Sequence, residues 1–274
     1  MTKALFASVL IASLSASSVG YAASSLKPHR AVYDLVLDQA SNRSGITSME
    51  GRIVYEVTGS ACEGFASRYR FQTEVRVGGK DFINDQRNTT FESGDGTSFN
   101  FVTQYYLNGQ LEQDMRGAAE KTDEGLEVKI SKPEEREVVL EDAVFMNTHM
   151  EMIMEAATKG ETVMQARVFD GSDDGDSLVD TTTIIGVERS LDNAQKDEPE
   201  TVLKALGTKT AWPVSVSYFN ADQIIGGGER IPHYQISFLL QSDGISRDLK
   251  MRYTDYSLFG TLVNIEYLPS EPCN

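Results

Sequence analysis

Apolar and polar side chains alternate with a period of two along most of this chain, the pattern of strands with one dry face and one wet face. The clearest run covers residues 69–77, where aromatic and β-branched residues alternate with Arg, Gln and Glu. Similar runs lie at residues 33–37, 53–57, 99–107, 126–130, 214–218, 234–238, 251–253 and 263–267. Turn signals such as Gly78-Gly79 and Asn108-Gly109 separate them, so we expect a mainly β fold of consecutive antiparallel hairpins.

In these runs the face opposite the aromatic residues carries charged side chains. Strands that cross an outer membrane need apolar residues on the face that meets lipid. We therefore expect a protein that is not membrane-spanning, with its apolar strand faces turned toward a core or a cup.

One stretch, Ala143 to Lys159, has apolar residues at helical spacing and predicts one main α-helix, with Asp142 as N-cap and Gly160 after the last turn. The helix is rich in methionine, a side chain that adapts its shape. It is therefore expected either to pack as ordinary core or to form part of a loose pocket for a lipid or a peptide. The candidate residues for lining such a cup are Phe145, His149, Met150, Met152 and Ile153.

The N-terminal residues have the organisation of a signal peptide. Lys3 precedes a short apolar run, and Gly20-Tyr21-Ala22 offers small side chains for cleavage after Ala22. We expect residues 1–22 to be removed on export to the periplasm and residues 23–274 to form a single β-rich domain. Within that domain, residues 192–200 predict an exposed loop, followed by a helical turn at 202–206.

The net charge of the chain disfavours one class of partner. With 25 Lys and Arg against 41 Asp and Glu, the formal net charge is −16 over 274 residues. Phosphate-rich partners are held by clustered Lys and Arg, so we expect no nucleic acid to bind. The acidic excess indicates a solvated surface.

The two cysteines, Cys62 and Cys273, indicate one disulfide in an exported chain, because oxidising compartments favour the bridge. Two free buried thiols are the alternative. Two cysteines this far apart, with three scattered histidines, match no usual zinc or iron spacing, so we expect no metal and no cofactor.

Two local patterns are candidates for chemistry. The segment Asp170 to Asp176 resembles the start of a calcium loop, but its twelfth position is Thr181 rather than glutamate, and a tight hairpin turn is the favoured interpretation. His149 lies near Glu151 and Glu155 in sequence, the one candidate for a hydrolase base. No nucleophile motif accompanies it, so a satisfied interfacial histidine is favoured and we expect no enzyme activity.

The chain resembles the EipB-like (envelope integrity protein B) family of alphaproteobacterial periplasmic proteins, formerly a domain of unknown function. The resemblance covers essentially the whole mature chain. It rests on both cysteines and on these stretches: His29 to Leu35, Asn42 to Ile46, Gly51 to Glu56, Gly59 to Gly64, Phe145 to Gly160 and Phe169 to Asp173.

The resemblance implies a large antiparallel sheet of many strands, wound into a spiral or cup around one helix, as in periplasmic lipoprotein carriers. It also implies a role in envelope maintenance. The first hypothesis is a non-enzymatic protein that binds a lipid or lipoprotein-like apolar ligand in the concave face of its sheet. The second is a scaffold with a filled cup that acts through a protein partner, for which a periplasmic repeat protein is the candidate.

Overall fold

The computed structural model describes residues 26–172, 174–191, 197–207, 210–220 and 230–270. Within these ranges it contains fifteen strands and two α-helices, with a short 3-10 helix at Asn42–Ser44. The strands are β1 (His29–Ala40), β2 (Ile46–Ser60), β3 (Gly64–Val77), β4 (Lys80–Glu92), β5 (Ser98–Leu107), β6 (Gln110–Thr122), β7 (Gly125–Lys132), β8 (Arg136–Leu140), β9 (Val163–Val168), β10 (Val179–Ile185), β11 (Arg189–Ser190), β12 (Thr210–Asn220), β13 (Tyr234–Leu240), β14 (Ser246–Tyr253) and β15 (Tyr256–Tyr267). The helices are α1 (Met146–Lys159) and α2 (Glu200–Leu206).

The strands form one antiparallel sheet whose order is β8-β7-β6-β5-β4-β3-β2-β1-β15-β14-β13-β12-β10-β9, with β11 paired to β12. The chain therefore enters at the middle of the sheet and runs outward as a meander to β8. Helix α1 then carries it to the other edge, and a second meander leads back until β15 pairs with β1. The predicted antiparallel, many-stranded sheet wound into an open cup is confirmed.

The segment between β8 and α1 pairs with β9, the strand at the other edge of the sheet. Val144, just before the helix, forms an isolated parallel bridge with Val168 at the end of β9. The Val144 amide donates to the Arg167 carbonyl at 2.9 Å, and the Phe169 amide donates to the Val144 carbonyl at 2.9 Å. The bridge attaches the start of α1 to the end of β9.

Helix α1 begins three residues later than the sequence predicts, and its N-cap is Phe145 rather than Asp142. The reason is a cap supplied by another element. The buried carboxylate of Glu92, at the end of β4, accepts hydrogen bonds from the backbone amides of Asn147 at 2.8 Å and Thr148 at 2.9 Å. It also accepts one from the Thr148 hydroxyl. A charged acceptor at a helix N-terminus satisfies free amides and the helix dipole together.

Gly160 ends α1 as predicted, in the left-handed conformation with φ 76°. The helix packs inside the sheet: Ile153 and Met154 join a core cluster with strand residues such as Tyr33 and Leu262. Helix α2, longer than the predicted turn, adds Val202 and Leu206 to the same cluster.

A buried ion pair holds the segment before α2 against β14. The side chains of Arg247 and Glu198 are 2% and 1% exposed, and Arg247 Nε donates to Glu198 Oε1 at 3.0 Å. Arg247 Nη2 contacts the other carboxylate oxygen. Because the two charges satisfy each other, both can remain buried, and removing either one leaves an unpaired charge in the core.

Four phenylalanines form a second core cluster where α1 begins. Phe99 stacks on Phe145 with ring centroids 4.9 Å apart, and Phe169 meets Phe101 edge to face at 5.6 Å. All four are at most 2% exposed. The cluster joins β5 to the start of α1 and to the loop after β9, so this part of the cup is filled.

The topology brings Cys62 close to the start of the C-terminal segment. His29 is in register with Tyr267 on one side and with Val57 on the other, so β15 and β2 flank β1 at the same rim. At a strand spacing of about 4.8 Å they lie about 10 Å apart. The described residues include no free cysteine. Cys273 lies outside the described residues, so its bridge to Cys62 remains a prediction, as does the signal peptide.

If the bridge forms, reduction of the wild-type protein is expected to lower its free energy of unfolding by about 2–4 kcal/mol, because a cross-link restricts the unfolded chain. The double variant Cys62→Ser with Cys273→Ser should match the reduced wild type and show no further loss on reduction. Urea unfolding with and without reductant measures both. A wild-type curve that does not move on reduction would contradict the bridge.

Replacing Glu92 by Ala is expected to lower the free energy of unfolding by about 2–4 kcal/mol, because two helix amides lose a charged acceptor in a buried place. Glu92→Gln keeps an oxygen acceptor and should lose about half as much. Urea unfolding gives both values. Glu112→Ala, at an exposed carboxylate on β6, is the control and should change stability by no more than about 0.5 kcal/mol.

Candidate functional site

Part of the concave face is lined by side chains that remain half-buried, unlike their strand neighbours on the same face. On β3, Tyr69 shares its face with Phe65 and Thr73, which are 4% and 2% exposed, yet Tyr69 keeps accessible surface. The same holds for residues of β4, β5 and β12 to β15. We call this group of half-buried side chains the tyrosine chamber and define it by Tyr69, Asn84, Gln86, Asn88, Tyr105, Tyr218, Tyr234, Tyr253 and Tyr256. Its tyrosines other than Tyr105 pack against the edge of the main core cluster.

One wall of the chamber is a row of four stacked tyrosines on successive strands. Tyr218, Tyr234 and Tyr253 are direct cross-strand partners on β12, β13 and β14. Their ring centroids are 5.3 Å and 4.8 Å apart, and Tyr256 continues the row 4.7 Å from Tyr253. Tyr253 and Tyr256 stack with an interplanar angle of 21°, and the other two pairs are tilted by 35° and 37°. Rings arranged this way occupy one another's faces.

The opposite wall carries carboxamides as well as rings. Tyr105 donates its hydroxyl to Asn84 Oδ1 at 2.8 Å, and Asn88 Nδ2 donates to the Thr103 hydroxyl at 3.2 Å. Asn88 Oδ1 is buried without a hydrogen-bond partner among the described residues. Gln86 stands between these two asparagines on the same face of β4.

The two walls face each other closely enough to interact electrostatically. Burial raises the pKa of Tyr69, Tyr218 and Tyr253 well above the usual value for tyrosine. Tyr218 raises the pKa of Tyr69 further, Tyr69 and Tyr256 raise that of Tyr253, and the carboxylate of Asp170 raises that of Tyr218. These side chains therefore lie deep within protein although they are partly accessible. Their hydroxyls stay protonated at physiological pH and are able both to donate and to accept hydrogen bonds.

The five residues proposed from sequence to line the cup occupy different surroundings. Phe145, His149 and Ile153 are 0%, 2% and 1% exposed and belong to the packed interior. Met150 and Met152 are half-buried, and Met150 contacts both the main core and the small cluster around Leu26, Val57 and Phe65. Of the five candidates, only Met150 and Met152 retain accessible surface. That these residues line a cup therefore remains a prediction.

His149 is held by a threonine on β10. Its Nε2 lies 3.2 Å from the hydroxyl of Thr181, which donates to the carbonyl of Ala166 at 2.9 Å. The imidazole therefore donates from Nε2 to the hydroxyl. Burial lowers the pKa of His149 to about 4, so the side chain is neutral at physiological pH. Burial has the opposite effect on a carboxyl group: it raises the pKa of Glu151, and the charge of Glu92 raises it further.

The Asp170 to Asp176 segment belongs to a longer connection than the predicted tight turn, since β9 ends at Val168 and β10 starts at Val179. Gly171 has φ 67°, and a Cβ there would lie 2.5 Å from the Phe101 ring. Glycine therefore lets this loop pack against β5. Asp176 pairs with Arg136 at 3.0 Å. In the described part of the chain no three acidic, histidine or cysteine side chains are placed to hold a metal ion.

A second recess, of about 600 Å³, lies on the convex side beside β9, β10 and β12. Asp180 accepts hydrogen bonds there from Arg167 Nε at 2.8 Å and from Arg230 Nη1 at 2.9 Å. Both guanidinium groups that line this cleft are therefore already paired with a carboxylate. We take the tyrosine chamber as the candidate site, because more of its polar groups lack a hydrogen-bond or ion-pair partner among the described residues.

The fold and the chamber define a cup-shaped, mainly β protein that encloses a recess of aromatic and amide side chains. A family model described as EipB-like matches residues 21–269. The chain belongs to the EipB-like family, as the resemblance predicts.

A curated relative and a solved structure support this membership. The chain is 38% identical over 242 residues to the cell envelope integrity protein EipB of Brucella abortus (strain 2308), an alignment that covers 88% of this chain and 84% of that protein. It is also similar to a crystal structure described as a beta-barrel-like protein of a domain of unknown function from Brucella abortus. That match has a TM-score of 0.82 and 38% identity, and it covers 89% of this chain and 99% of the other. Among the described residues, no helix is both long and apolar enough to cross a membrane.

The pKa of His149 predicts a pH dependence of stability. The unfolded chain takes up a proton at this histidine near pH 6.5 but the folded chain only near pH 4, so stability is lost as pH falls between these values. His149→Gln does not titrate, and its loss of unfolding free energy between pH 7 and pH 4.5 should be smaller than that of wild type by about 2–3 kcal/mol.

Urea unfolding at pH 7 and pH 4.5 measures this difference. His233→Gln, at an exposed histidine, is the matched control and should keep the wild-type pH dependence. Identical pH dependence in His149→Gln and wild type would show that His149 does not remain neutral in the fold.

Proposed function

We propose that this protein supports the integrity of the cell envelope, as a non-enzymatic periplasmic protein that holds a ligand with an apolar part in the tyrosine chamber. The observation that carries the proposal is the contrast along the concave face. Most of its residues pack tightly around α1 and α2, while the chamber keeps aromatic side chains that are deep in the protein and still accessible. A relative at 38% identity bears the name of a cell envelope integrity protein.

A binding role accounts for this arrangement better than a catalytic one. His149, the candidate base, is buried and neutral, and its Nε2 is engaged by Thr181. Its neighbour Glu155 is exposed and pairs with Lys159 at 2.7 Å rather than with the histidine. A general base must reach a substrate proton, and the His149 side chain is only 2% exposed.

A second function, a scaffold for a protein partner such as a periplasmic repeat protein, is favoured by one surface. Val163 and Ile184 are direct partners across β9 and β10, and they are 57% and 58% exposed on the convex face. Val187 nearby is 87% exposed. Apolar residues grouped at a sheet edge are typical of contact surfaces.

Filling the chamber should separate the two functions. Gln86→Trp places a large ring in the chamber at a position without a hydrogen-bond partner among the described residues. We expect native mass spectrometry to detect a bound apolar ligand on gently purified wild type. We expect the variant to fold, to lack this ligand, and to fail to restore detergent resistance in a strain lacking the protein.

Thr89→Trp is the matched control, since Thr89 lies on the same strand with its side chain exposed on the opposite face. It should retain the ligand and restore resistance. Full restoration of resistance by Gln86→Trp would exclude the ligand-binding function and favour the scaffold.

A further inference from the structure

The stacked tyrosines present hydroxyl groups to the chamber rather than ring faces. Side chains on a strand stand roughly perpendicular to the sheet, so each phenol ring from the concave face points its oxygen away from its own strand. Tyr234 and Tyr253 have a neighbouring ring on both sides, and Tyr218 and Tyr256, at the ends of the row, have one each. With strands about 4.8 Å apart, the four tyrosines form a row of hydroxyls roughly 15 Å long.

Several of these polar groups have no partner in the described protein. The hydroxyls of Tyr69 and Tyr218 and the carboxamide of Gln86 make no hydrogen bond to any described residue. Tyr69 faces Tyr218 across the chamber. An acyl chain in contact with these hydroxyls and this carboxamide would displace their water without replacing its hydrogen bonds, which is unfavourable.

The chamber also lacks a positive charge to attract an anion. Its nine defining side chains are phenols and carboxamides, which are uncharged at physiological pH, and the charge that acts on Tyr218 is the carboxylate of Asp170. The chain is acidic overall, with a net charge of −16, which disfavours anions. The strands that form the walls are paired on both sides, so they offer no edge for a peptide to extend the sheet.

We propose that the tyrosine chamber binds a neutral saccharide, with the tyrosine hydroxyl row and Gln86 forming hydrogen bonds to its hydroxyl groups. The saccharide proposal rests on the proposed function, because it concerns the same chamber. In it, the saccharide is the polar part of the ligand held there. The shared chemistry is a neutral, hydroxyl-rich group, carried either on an alkyl chain or free in solution.

Three probes separate these sources when titrated into the full mature protein by calorimetry: dodecyl maltoside below its micelle concentration, maltotriose, and lauric acid. We expect dodecyl maltoside to bind more tightly than lauric acid. The double variant Tyr69→Phe with Tyr218→Phe should weaken maltoside binding by about 10–100-fold through the loss of two hydrogen bonds. Gln86→Leu should weaken it by about 2–10-fold.

The same variants should be as stable to urea as wild type or slightly more stable, because the hydroxyls removed have no partner in the folded protein. A structural role would instead lower stability along with affinity. Tyr106→Phe is the control, since Tyr106 follows Tyr105 on β5 but lies on the convex face, where Arg87 covers its ring at 4.5 Å. It should leave maltoside affinity unchanged.

The outcomes distinguish this inference from the proposed function. Lauric acid that binds as tightly as dodecyl maltoside, with no effect of the tyrosine variants, would overturn the saccharide and leave the apolar ligand in place. Maltotriose that binds as tightly as dodecyl maltoside, and is weakened by the variants, would support the saccharide and remove the apolar part. Failure of all three probes to bind would overturn both.

Discussion

The carboxylate of Glu92 at the N-terminus of α1 is the contact on which the arrangement of the cup depends. It joins the last residue of β4 to the helix that links the two meanders, 55 residues further along the chain. Because a buried charge needs several hydrogen bonds to be tolerated, this contact permits little freedom in where α1 begins. The position of the helix then determines which part of the concave face is filled and which part remains a chamber.

The same strand connects structure to function. The inward face of β4 ends in Glu92, which caps the helix, and continues through Asn88, Gln86 and Asn84, which line the chamber. A strand with amides instead of apolar residues on its inner face contributes little to core packing. Its place in the sheet is secured by its neighbours β3 and β5, which bring the phenylalanines and tyrosines that pack around it.

Whether a strand can be predicted from the sequence depends on whether its inner face is apolar or polar. The strands with apolar inner faces, such as β3 and β5, are visible as alternation, and so are the turns at Gly78-Gly79 and Asn108-Gly109. Strands β4, β6, β8, β9, β10 and the two-residue β11 are not predicted. On β4 both faces are polar, and on β6 the inner face includes Gly117 and Ala119, so neither has a clear period of two.

The helix and the site show the same limit. The span of α1 is predicted from its own residues, but its first turn is not, because the cap comes from Glu92, far away in sequence. The chamber is not predicted from the sequence, because its two walls belong to distant strands. The alternation did contain Tyr218, Tyr234 and Tyr253, but only cross-strand register shows that they stack. An alternation of amides at Asn84, Gln86 and Asn88 was the available signal for the other wall.

The order of the strands also has a consequence for how the chain folds. The first strand, β1, needs the last strand, β15, as its second partner, so β1 keeps one unpaired edge until the end of the chain has been made. An open edge is a template for wrong pairing with another chain. Contacts between residues so far apart in sequence also form slowly. The first meander therefore has an unpaired edge at β1 until the second meander has formed. We expect the pairing of β1 with β15, rather than the formation of the hairpins, to limit the rate at which this sheet assembles.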